Sequence, residues 1–146
     1  MVAMRNSALS AADDALTERI IGAAILVHKA LGPGLLEGIY QKSLAAELKH
    51  QDLPIHRERV FPVYYRGAHI GEQRLDLIVD NKVVLELKAV ETLIQVHRAQ
   101  LLTYLRVSGL PIGLLINFGT EFIQVKRVLN TPNSSSSSFR PPVPPS

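Results

Sequence analysis

Cysteine is missing from all 146 residues. That excludes disulfide staples, thiolate catalysis and cysteine-ligated zinc, and it fits a cytoplasmic protein. Long hydrophobic runs are missing too: none approaches the ~18 residues of a membrane span. The N-terminus carries no basic segment followed by an apolar one, so no signal peptide is expected. Charge of one sign is in small excess, with a net charge of +3 and a sequence pI of 9.4. This bias is compatible with nucleic acid and too slight to argue for it alone. What is present is ordinary core material, 47% hydrophobic and 20% charged, in a length that fits one domain.

The domain is expected over residues 11–130. Residues 1–10 read as a flexible N-terminus. Residues 131–146, with five consecutive serines and a proline-rich end, read as a disordered tail with nothing to bury. Ser10 and Asp13 resemble a capping box opening a helix over Ala11 to Leu31, with Leu16, Ile20, Ala24, Val27 and Leu31 as its apolar stripe. Gly32-Pro33-Gly34 stops it. A second helix is expected from Leu35 to His50, then strands over His56–Tyr65, His69–Val79 and Val83–Val90, with Gly67-Ala68 as the first turn. Pro62 places a free edge or a bulge in the first strand, since proline cannot donate to a ladder. Thr92 is expected to cap a third helix over Leu93–Ser108, followed by strands at Ile112–Phe118 and Glu121–Val128. The order α-α-β-β-β-α-β-β implies an α/β sandwich with a mixed sheet. The hairpin is antiparallel, and the helical crossover after the third strand allows parallel pairing.

The hairpin between Asp76 and Lys88 carries the chemistry. A two-residue loop would set Asp76 against Leu85. A three-residue loop, Asp80-Asn81-Lys82, sets Asp76 against Glu86. Only the second register gathers Leu75, Leu77, Val79, Val83, Leu85 and Leu87 on one face. The other face then carries Asp76, Ile78, Val84, Glu86 and Lys88, with the two acids directly opposed at roughly 5 Å between Cβ atoms. Like charges repel there unless a divalent cation lies between them. The plainer reading is a solvated face with a weak cross-strand ion pair. Ile78 and Val84 weigh against it, because their presence means something packs over that face.

Other polar residues share apolar faces. Glu37, Tyr40, Leu44 and Leu48 follow one helical stripe, so Glu37 is expected to face the sheet as a third metal ligand or to orient a metal-bound water. Its plainer role is a first-turn acid favoured by the helix dipole. Gln100 and Tyr104 project together from the third helix, to contact phosphate or to serve as a helix flank. His97 and His28 read first as structural histidines, with His97 a lesser candidate for substrate contact. Arg57, Arg59, Arg66, Arg74, Arg98 and Arg106 are candidate phosphate contacts or plain surface.

With these residues in place, the chain resembles the GxxExxY protein family, a branch of the PD-(D/E)XK nuclease superfamily. Gly34-Leu-Leu-Glu37-Gly-Ile-Tyr40 matches the naming motif, and Asp76 with Glu86-Leu-Lys88 matches the Asp…Glu-x-Lys core. Gln100-Leu-Leu-Thr-Tyr104 matches the Gln-x-x-x-Tyr motif, and Gly113–Gly119 looks like the family's late strand. The likeness covers about residues 14 to 129. Leu75 departs from the pattern, standing where a proline often precedes the core aspartate. The resemblance implies a restriction-endonuclease-like fold and Mg²⁺- or Mn²⁺-dependent hydrolysis of nucleic acid, with DNA the expected partner. It implies that Asp76, Glu86, the Leu87 carbonyl and Glu37 hold metal. Lys88 and Gln100 would act in the chemistry, with Tyr40, His97 and Tyr104 supporting or touching substrate. Two other classes stay open: a nucleic-acid-binding domain without turnover, and a protein-interaction module in which the acids are structural.

Overall fold

A computed structural model describes residues 9–130. The tail expected at 131–146 and most of the flexible N-terminus lie outside the described residues. The elements come in the expected order: α1 (Ala11–Leu31), α2 (Glu37–His50), β1 (Ile55–Tyr65), β2 (Ala68–Val79), β3 (Val83–Lys88), α3 (Gln95–Ser108), β4 (Ile112–Asn117) and β5 (Gln124–Leu129). None of the described helices is long and apolar enough to cross a membrane.

The caps explain the ends. Ser10 Oγ accepts the Asp13 N–H at 3.0 Å and starts α1. The Asp13 carboxylate does not close a capping box; it pairs with Lys82 at 3.3 Å. Thr92 does not cap α3. The helix starts after Ile94, whose N–H donates to His97 Nδ1 at 3.1 Å, so the side chain at the third helical position does the capping. Gly109, at φ +74°, ends α3 in the left-handed conformation that costs glycine nothing.

The five strands form one mixed sheet in the order β1-β2-β3-β4-β5. β3 and β4 are parallel, and the other pairs are antiparallel. The β2–β3 pairs are Leu77↔Leu85, Ile78↔Val84 and Val79↔Val83, which is the register of a three-residue loop. Continued one step, it sets Asp76 opposite Glu86. β1 is an edge strand, and Pro62 lies on it just before a register shift at Val63/Tyr64, so both the free edge and the bulge exist. The first turn is Arg66-Gly67, both at positive φ, rather than Gly67-Ala68. Two such residues make the tight turn whose twist matches a hairpin.

Helices cover both sides of the sheet. Leu16, Ile20, Ala23 and Val27 of α1 and Tyr40, Leu44 and Leu48 of α2 pack with Leu77, Val79, Val83, Leu85 and Leu87 on one face. Leu101 and Leu105 of α3 pack with Ile78, Val84, Leu115 and Val128 on the other. Leu75 is the exception to the parity argument: it is fully buried on the α3 face, not with Leu77. The cause is local. The β1–β2 ladder pairs Arg57↔Leu77 and Arg59↔Leu75 but skips Glu58, opposite Asp76, because Glu58 has φ +57°. A left-handed residue leaves the β region and breaks the alternation there. The resulting α/β fold, a five-stranded mixed sheet flanked by helices, is restriction-endonuclease-like.

Candidate active site

Three elements bring polar groups to the α3 face of the sheet. β3 ends with Glu86 and Lys88 on that face, in parallel register with Leu115 and Asn117. Glu86 is 7% exposed, and its carboxylate lies 3.1 Å from Lys88 Nζ. Lys88 Nζ also donates to Gln100 Oε1 of α3 at 3.3 Å, and Gln100 Nε2 donates to the Tyr104 hydroxyl at 2.8 Å. Four sequence-predicted residues thus form one hydrogen-bonded chain, Glu86–Lys88–Gln100–Tyr104. Gln100 and Tyr104 can share it because residues four apart stack on one side of a helix.

Asp76 approaches from β2. It is half-buried, with Arg74 Nε 3.6 Å from its carboxylate, and Arg74 also reaches Glu58 at 3.8 Å. Its backbone carbonyl accepts from Gln41 Nε2 of α2 at 3.3 Å. Gln41 lies one turn after Glu37 and was not singled out from the sequence. Its signal was that spacing.

Burial raises the Glu86 pKa above its ordinary value. The hydrogen bond and charge of Lys88 pull it down in part, and the charges of Asp76 and Glu37 push it up again. Tyr104 is likewise raised, by burial first and then by the charge of Glu86, against its hydrogen bond with Gln100. The charges of Asp76 and Glu37 thus reach the partly dry carboxyl of Glu86.

Glu37 differs from its expected position. Tyr40, Leu44 and Leu48 face the core, but Glu37, the first residue of α2, is exposed. The stripe does not extend into the first turn, which overhangs the sheet. Among the described residues, no group of three or more His, Asp or Glu side chains is gathered closely enough to hold an ion. The expected three-carboxylate set is therefore not formed: the strand register sets Asp76 opposite Glu86, and Glu37 is exposed. Two carboxylates still suit Mg²⁺, which takes oxygen ligands and keeps several waters. The buried, charge-crowded carboxyl of Glu86 suits a cation as well. Leu87 turns its side chain into the opposite core.

Tyr40 is fully buried, so it does not touch substrate. Its hydroxyl donates to the Gly32 carbonyl and accepts the Leu35 N–H at 3.0 Å, and its ring stacks on Phe118 at 4.7 Å. The GxxExxY spacing thereby acquires a local cause. Gly34, at φ +109°, makes the turn, Glu37 opens the helix, and Tyr40 ties the turn down from one helical turn later. His97 is occupied with capping α3, and His28 Nε2 meets the Thr120 carbonyl at 2.9 Å.

Asn117 was not anticipated. It is fully buried at the end of β4 and joins the segment after Lys88 to the segment after β4. Oδ1 accepts the Val90 and Gly119 N–H groups, and Nδ2 donates to the Val90 carbonyl and to Gln124 Oε1, each at 2.9–3.0 Å. A lone asparagine closing an apolar run was the available signal.

Comparison with known proteins agrees with this fold. A crystal structure of the protein SSO0001 is similar, with a TM-score of 0.53 and 20% sequence identity over 68% of this chain and 52% of that one. The chain thus spans about half the length of that protein. No curated protein matches the sequence. The family model for the PD-(D/E)XK nuclease superfamily matches residues 14–128, nearly the whole described fold, and the chain belongs to that superfamily.

Proposed function

We propose that this protein is a Mg²⁺- or Mn²⁺-dependent nuclease of the GxxExxY branch, hydrolysing phosphodiester bonds in DNA. The observation that carries this reading is the buried Glu86–Lys88 pair, continued to Gln100, in a strand register that sets Asp76 opposite Glu86. A purely structural acid pair needs no amine held between it and a helix glutamine.

Asp76, Glu86 and the Leu87 carbonyl would hold the metal. When bound, it supplies Lewis-acid polarisation of the scissile phosphate and a water of lowered pKa. Lys88, with three N–H donors, would orient the attacking water or balance the charge that grows on the phosphate oxygens. Gln100 holds Lys88 in place and offers a polar group to phosphate, while Tyr104 fixes the orientation of Gln100. Glu37 adds negative charge. Arg74 pairs with Asp76, with Glu58 as its second partner.

The test is a cleavage panel with Mg²⁺ and Mn²⁺ on plasmid, linear duplex, single-stranded DNA and RNA, with Glu86→Ala as control. Metal-dependent cleavage of DNA that vanishes in the control is expected. Cleavage that survives Glu86→Ala, or no cleavage of any substrate, would overturn the reading.

A further inference from the structure

β1 and β2 are far longer than the rest of the sheet requires. Among the described residues, β2 pairs with β3 only through Leu77, Ile78 and Val79, whereas the β1–β2 ladder continues to Tyr65↔Ala68. Beyond Asp76 the two strands therefore run on as a two-stranded ribbon. From Arg59 to Tyr65 it extends about 20 Å, at roughly 3.4 Å per residue. Its root is fixed by Phe61 and Leu75 packing beside α3, and its tip is the narrow Arg66-Gly67 turn. Asp76 stands at the fork where β2 leaves β3, so the ribbon springs from the candidate active site.

The ribbon's surface is basic and amphipathic. Over residues 59–74 the ribbon carries Arg59, Arg66 and Arg74 against Glu72, an excess of two positive charges. All three arginines are exposed. Val60, Tyr65 and Ile70, 47–64% exposed, lie among them. Strand addition by another protein at the outer edge of β1 is disfavoured, because Pro62 removes a donor and the bulge at Val63/Tyr64 breaks the ladder. What this surface complements is phosphate. The major groove of B-form DNA, about 12 Å wide, admits a two-stranded β-ribbon, whereas the deep, narrow major groove of duplex RNA does not.

We infer that the β1–β2 ribbon is a duplex-DNA-binding arm that enters the major groove and delivers the adjoining backbone to the fork at Asp76. This deepens the proposed function by naming its substrate as double-stranded DNA, and it rests on that reading for the role of Asp76. Binding by the arm does not require metal, so it can be measured separately from cleavage.

The experiment is fluorescence anisotropy of a labelled 20-base-pair DNA duplex in EDTA across a salt series. It compares the wild type with an Arg59→Ala/Arg66→Ala double variant and with Glu72→Lys, and circular dichroism checks that each is folded. Each lost phosphate contact lowers the slope of log affinity against log salt by about 0.9, so the double variant should lower it by roughly 1.8 and bind more weakly. Glu72→Lys, opposite Pro62 on the ribbon, should bind more tightly. Unchanged slopes in both variants, equal or better binding of duplex RNA, or no binding of duplex DNA by the wild type would overturn the inference. DNA cleavage that continues with unaltered ribbon-variant binding would sink the arm and leave the nuclease. Arginine-dependent binding without any cleavage would do the reverse.

Discussion

The two faces of β3 are built from alternate residues of one six-residue strand, and they differ in kind. Val83, Leu85 and Leu87 meet α1 and α2 in an apolar layer broken by no ionic side chain of the strand. Val84 begins the other face in the same way, but Glu86 and Lys88 then replace apolar contacts with charges, held under α3 by Gln100. The first face can stabilise the fold because burying each leucine contributes about 1.5–3 kcal/mol. The second cannot be optimised for stability, since its carboxyl is buried at a cost that Lys88 offsets only in part. The sheet separates the two tasks by side-chain parity, one residue apart along the same backbone.

Substitutions on the two faces should therefore fail in opposite ways. The largest contrast is between Lys88→Ala and Leu85→Ala. Lys88→Ala should lower cleavage by roughly 10²–10³-fold or more with the fold retained, as loss of a charge-stabilising donor does. Leu85→Ala should cost about 2–5 kcal/mol of stability by leaving a cavity, with cleavage per folded molecule little changed. Single-turnover kinetics beside chemical denaturation check both, and an unfolded Lys88→Ala would erase the distinction between the faces. Asp76→Ala should follow Lys88→Ala in activity and fold.

Asn117→Ala sharpens the comparison where the faces meet at the strand ends. It strands the Val90 and Gly119 amides, and with about 0.5–1.5 kcal/mol for each net hydrogen bond the loss should be about 1–3 kcal/mol. Cleavage should fall too, since Val90 follows Lys88 by two residues. Tyr40→Phe is expected to be milder, about 1 kcal/mol in a denaturation midpoint, because it removes only the hydroxyl that ties the Gly32–Leu35 turn.

The smallest effect is the pH dependence. The folded state holds the Glu86 proton more tightly than the unfolded chain, since the pKa is raised on folding. As pH rises from the unfolded value of 4.5 through the higher folded one, the folded state loses that advantage and stability falls. Glu86→Gln has no such proton to lose. The difference in melting temperature between wild type and variant should thus shift against the wild type over that interval and level off above it. A shift in the opposite direction would mean that Lys88 outweighs burial.

Most of the fold was legible because period-2 and period-3.6 patterns are set by burial, and burial here is orderly. The three-residue loop of the hairpin followed from leucine and valine positions alone. Leu75 escaped that logic because nothing about a glutamate announces φ +57° at Glu58. Glu37 escaped because a helical stripe carries no information about where the sheet beneath it stops. Within the site, Glu86, Lys88, Gln100 and Tyr104 were legible as charge or polarity at apolar spacing. Gln41 and Asn117 were harder to read, because each acts on backbone groups of segments distant in sequence. The pairing of Arg74 with both Asp76 and Glu58 depends on the irregular ladder, so it too required the three-dimensional arrangement.

Gly119 carries a consequence for anyone altering this chain. A Cβ there would stand 2.4 Å from the Val90 nitrogen, so two main chains occupy space that any side chain would need. Even alanine must wedge these segments apart, and the displacement would pass within two residues to the amine of Lys88. An inert methyl group at Gly119 would then abolish the proposed cleavage by misaiming a group it does not touch, and a screen for inactive variants should recover this position alongside the acids.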